Sequence, residues 1–172
     1  MLQNKAFYGT LVVLLVGFIG LIIWERTNGE PEPPRPGVEQ SDQGREHARK
    51  EYGGDEPPTS GPHADPVAWG LYRTEIRDDE ALHNLEHGGV YVSYHPDLPE
   101  DEVDKLKALL FAPYSDSEFQ PRKIIMAPRE NNKAPIVLSS WLRSEKLENF
   151  DAEKIKEYVT RNTGKSPEPF AR

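Results

Sequence analysis

Residues 7–24 run for 18 positions without a charge: Phe-Tyr-Gly-Thr-Leu-Val-Val-Leu-Leu-Val-Gly-Phe-Ile-Gly-Leu-Ile-Ile-Trp. As a helix rising about 1.5 Å per residue, such a run crosses most of a ~30 Å hydrocarbon layer. Tyr8 and Trp24 stand near its ends, where amphipathic rings suit the membrane interface. Lys5 precedes the run and Glu25-Arg26 follow it, which favours the N-terminus inside and the rest of the chain outside the cytoplasm. A cleaved signal peptide is the alternative. The bulky Ile22-Ile-Trp-Glu sequence offers no small-x-small cleavage site, so residues 1–26 read as a retained anchor.

Residues 27–50 are rich in proline, glycine and charge, and read as a flexible spacer in which His47 is a solvated side chain. The remainder, 51–172, is long enough for one domain. Within it, Trp69–Ile76 reads as a weak strand and residues 80–87 as a short helix capped by Asp78 or Asp79. Gly88 and Gly89 stop that helix before a strand, Val90–Tyr94. Residues 98–111 form the clearest helix, with Val103, Leu106, Leu109 and Leu110 as an apolar stripe. Two strands, 123–127 and 135–141, read as a hairpin, and Asp151 caps a last helix over 151–161. This order predicts an α+β domain: a small mixed β-sheet with packed helices, preceded by one transmembrane helix.

The net charge of −8 and the lack of a basic stripe argue against nucleic acid as a partner. The chain has no cysteine, so any metal must be held by histidine, carboxylate, methionine or backbone donors. No phosphate-binding glycine loop and no nucleophile elbow occurs.

Pro57-Pro-Thr-Ser-Gly-Pro-His63, Leu82-His-Asn-Leu-Glu-His-Gly-Gly-Val90 and Pro135-Ile-Val-Leu-Ser-Ser-Trp141 together resemble the DUF3105 family of membrane-anchored extracytoplasmic domains. The resemblance covers roughly residues 48–165. It implies a domain held outside the cell membrane by one N-terminal helix, and it implies no activity.

Three of the five histidines point to a metal. His83 and His87, four residues apart, share one face of a helix, a common two-ligand half-site. His63 sits on a loop stiffened by proline and offers a third imidazole. Met126, in a strand, is the candidate fourth ligand, with a core role as the alternative. Glu86 is a ligand, an orienting partner for an imidazole, or a solvated residue; His95 reads as a polar strand end. Three imidazoles and a thioether favour copper, especially Cu(I), whereas imidazoles with a carboxylate would favour zinc. Such a site suits metal binding or handling, with a metal-donor or acceptor protein as partner. Its affinity is expected to fall as pH drops through about 6.5, because imidazole must be neutral to ligate. Two other readings stay open. His83-x-x-Glu86-His87 fits the pattern of a zinc-dependent hydrolase with Glu86 as base, and a protein-interaction module needs no convergence of these histidines at all.

Overall fold

The computed structural model describes residues 2–28 and 33–171; residues 29–32, the start of the expected spacer, lie outside the described residues. The chain divides into two units, one ending at Pro34 and the other beginning at Arg35. The first unit is the helix α1, Leu2–Asn28, within which Phe7–Glu25 is long and apolar enough to cross a membrane.

The second unit is an α+β domain built on a six-stranded mixed sheet. Its strands are β1 (Val38–Glu39), β2 (Gly70–Leu71), β3 (Val90–Tyr94), β4 (Ile124–Pro128), β5 (Ile136–Ser140) and β6 (Arg143–Leu147). Its helices are α2 (Asp78–Glu86), α3 (Glu100–Leu110) and α4 (Ala152–Asn162). The strand order is β1-β6-β5-β3-β4-β2. β3 is central, parallel to β4 and antiparallel to β5. The parallel pair needs a crossover, and α3 supplies it.

This order corrects one expectation. The strands expected to form a hairpin, β4 and β5, are separated by β3. The partner that follows β5 in sequence is β6, joined through Trp141-Leu142 with Leu142 in the left-handed region at φ 59°. Arg143-Ser-Glu-Lys-Leu147 is too polar to announce itself as a strand, because only Ser144 and Leu147 are buried. Part of the expected spacer also packs on this domain. Val38 and Glu39 pair with β6, and Arg143 donates to the carbonyls of Arg35 and Gly37.

All five residues of β3 are buried, since helices cover both faces of the sheet. Val90, Val92 and Tyr94 pack with Met126, Ile136 and Leu138 beneath α3 and α4. Tyr91 packs with Ile125 and Ala127 on the opposite face, beneath Ala81, Leu82 and Leu85 of α2. Burying each large aliphatic side chain contributes about 1.5–3 kcal/mol. Asp151 caps α4 as expected, accepting from the Lys154 amide at 3.1 Å.

The start of α2 is held differently from expectation, for neither Asp78 nor Asp79 caps it. Asp78 takes a two-pronged bond from Arg129, a fully buried residue just past β4, at 2.9 and 2.8 Å. The same guanidinium donates to Gly54 O and Asn132 Oδ1, and Asn132 donates to Ser93 of β3. Asp79 is buried, which acts to raise its carboxyl pKa. The Arg77 side chain and the Lys50 amide outweigh that and hold it below the usual range.

Candidate metal centre

α2 lays Leu82 and Leu85 on the sheet, and so turns His83 and Glu86 toward the loop that carries His63. The helix ends abruptly. His87 leaves the helical conformation, and Gly88 adopts φ +83°, a left-handed position suited to glycine. At Gly89 a Cβ would strike the Trp69 ring and stand 2.8 Å from Lys123 O. The double glycine is what lets α2 turn directly into β3.

The opposite wall is the proline-rich loop. Gly61, at φ +122°, leaves no room for a side chain beside the Tyr52 hydroxyl, which donates to Pro62 O at 2.7 Å. A short stretch of the expected spacer pairs with this loop. The Gly61 amide donates to Gly44 O at 2.7 Å and the His63 amide to Glu46 O at 2.9 Å, forming a bridge between His47 and His63. Asn84 ties α2 to the loop by exchanging two bonds with the Val67 backbone.

These constraints bring His47, His63, His83 and Glu86 together, each with a ligand atom within 4.8 Å of the others. The rings pack around His83. His47 stacks on it with centroids 5.0 Å apart, and His63 and His87 stand edge to face at 4.9 and 4.5 Å. Metal–nitrogen bonds of about 2.0–2.1 Å set ligand atoms about 3.3 Å apart in a tetrahedron, so side-chain movements of about 1 Å close the cluster on an ion.

The hydrogen bonds define which lone pairs are free. His63 Nδ1 donates to Gly61 O at 2.8 Å and His83 Nδ1 to Ala64 O at 2.7 Å. Each ring then carries an unprotonated Nε2 in its neutral form. His63 Nε2 lies 3.1 Å from Glu86 Oε2, both are buried, and neither has a hydrogen-bond partner. With the ring neutral, two acceptors face each other across this gap, and a proton or a metal ion between them would satisfy both. His47 Nε2 lies 3.5 Å from the same carboxylate oxygen. Burial lowers the His83 pKa, and the nearby His87, His63 and His47 lower it further, against the opposing bond to Ala64. His83 is therefore held in the neutral form that ligates.

Of the residues singled out in the sequence, His63, His83 and Glu86 meet. His87 lies just beyond them, its Nε2 3.1 Å from that of His83. His95 sits at the end of β3 against Asp97, outside the cluster. Met126 is correctly a strand residue, but it faces α3 and α4, across the sheet from α2, buried with Val92 and Leu138. The fourth member of the cluster is His47, which is exposed, as the reading of a solvated side chain expected, yet stands beside the other three. Its neighbours Arg45, Glu46, Arg49 and Lys50 gave no apolar signal, and its partner lies in a distant loop.

An α+β domain with three imidazoles and a carboxylate gathered at one point defines a protein whose site could hold a metal ion. The chain belongs to the DUF3105 family, described as a protein of unknown function, whose sequence profile matches residues 45–172. That span includes every residue of the cluster. No curated protein and no solved structure matches the chain.

Proposed function

We propose that this chain is a single-pass membrane protein whose domain, outside the cytoplasm, binds one divalent transition-metal ion through His47, His63, His83 and Glu86. The observation that carries the reading is the buried, unpartnered pair of His63 Nε2 and Glu86 Oε2, 3.1 Å apart. The case for Cu(I) rested on the thioether of Met126, which lies across the sheet. Nitrogen and oxygen donors remain, and for these the Irving–Williams order puts copper(II) above zinc in affinity. Handling of the ion fits better than hydrolysis. Glu86 faces the histidines as a ligand, not as a base beside one, and His47, with its side chain 64% exposed, leaves the ion within reach of a partner that gives or takes metal. The apolar α1 supports the anchor, and Lys5 before it supports the orientation.

The test is metal content. The full chain in detergent, without a histidine tag, is offered copper(II) and zinc(II) separately. One equivalent is expected to be retained, and to be lost in His63→Ala/His83→Ala with the circular dichroism unchanged. No metal in the parent, or full retention in the double variant, would overturn the reading. The dissociation constant is expected to be nearly flat from pH 8 to about 6.5 and to rise below that, as protons compete for imidazole. Burial lowers the His83 pKa, so that residue takes up a proton at lower pH than a free imidazole does.

A further inference from the structure

His83 has one lone pair to give, because its Nδ1 is committed to Ala64 O at 2.7 Å. Two sets of neighbours compete for the remaining nitrogen. On one side are His47, His63 and Glu86. On the other, His87 Nε2 stands 3.1 Å away, and Glu168 Oε2 lies 3.9 Å beyond it, on a side chain about half exposed. Glu168 is held there by its backbone. Its amide donates to Glu86 O at 3.1 Å, and the Gly164 amide donates to Gly88 O at 2.8 Å. The Lys123 ammonium donates to the carbonyls of His87, Pro169 and Ala171 at 2.8, 2.9 and 2.8 Å. Three donors meet three carbonyls, and the segment after α4 is clamped against the end of α2.

We infer that His83, His87 and Glu168 form an outer metal position, a waypoint through which the divalent ion enters and leaves the inner cluster. The inference rests on the proposed function. An arriving ion takes the place of the hydrogen that His87 Nε2 donates to His83 Nε2, and His87 carries its proton on Nδ1 instead, so both rings ligate as neutral imidazoles with no net proton released. The single lone pair of His83 cannot serve both positions at once, so one ion is present at a time and the ring is the pivot on which it is passed inward. An imidazole pair with a carboxylate suits the same divalent ions as the inner set. The competing route is direct exchange past the exposed His47.

The experiment is stopped-flow loading of the full chain with zinc(II), then release to a chelator, for the parent, His87→Ala and Glu168→Gln. Removal of a waypoint slows both directions together. Loading and release are each expected to slow about tenfold or more in both variants, with one equivalent retained and the dissociation constant within about threefold of the parent. Unchanged rates would overturn the inference in favour of exchange past His47. A loss of affinity matching that of His63→Ala would also overturn it, by making His87 an inner ligand, and so would a second bound equivalent in the parent. Failure of the parent to bind any metal is a separate result, and sinks the proposed function itself. Glu168→Gln changes a half-exposed side chain and keeps its backbone bonds, so the test does not depend on the fold surviving His87→Ala.

Discussion

Replacing Arg129 with alanine is expected to destabilise the domain by about 3–5 kcal/mol, because it leaves Asp78 against a buried site without its counter-charge. The guanidinium also serves Gly54 O and Asn132, so its loss frees three parts of the chain at once: the start of α2, the loop before His63, and the connection from β4 to β5. In a thermal melt, a change of this size lowers the midpoint by roughly 10 °C or more. The double variant Arg129→Met/Asp78→Leu removes both charges and is expected to regain much of the loss, since the cost lies in the unpaired charge and not in the missing attraction. A midpoint lowered by less than about 3 °C in Arg129→Ala would show that the network positions α2 without stabilising it.

Glu86→Gln is expected to act in opposite directions with and without metal. At pH 8, above the ordinary imidazole value of about 6.5, the amide of Gln would donate across the gap where His63 Nε2 and Glu86 Oε2 now face each other at 3.1 Å. An unmet buried acceptor costs about 1–3 kcal/mol, so the metal-free variant should be the more stable protein by about that amount. The same change removes a charged ligand, and metal affinity should fall by about tenfold or more. Melts in chelator and titrations with zinc(II) measure the two effects. A metal-free variant less stable than the parent would mean that a proton, not a metal ion, normally occupies the gap.

The elements legible in the sequence are those whose signals are local. α3 declared itself by Val103, Leu106, Leu109 and Leu110, all buried here, and α4 by its Asp151 cap. β3 followed from the two glycines and the valines after them. What stayed hidden depended on distant partners. Nothing local says that β3 inserts between β4 and β5, because parallel and antiparallel neighbours make the same demand on an apolar strand. Met126 shows the same limit. Alternation separates it from Ile125, but only the register of β4 against β3 decides which of the two faces α2. In the cluster, His83 and Glu86 were visible as near neighbours on one helix, and the loop prolines gave His63. His47 reaches the cluster through two backbone bonds between segments of no evident pattern.

Both outermost strands of the sheet, β1 and β2, are only two residues long, and the well-formed strands lie inside it. Exposed sheet borders template pairing between molecules, and very short ones present too few free amides and carbonyls to do so. Phe7–Glu25 is long and apolar enough to cross a membrane, and any chain anchored in that way shares a plane with its copies, where collisions side by side are frequent. A sheet bordered in this way can be crowded on a surface without growing into its neighbours.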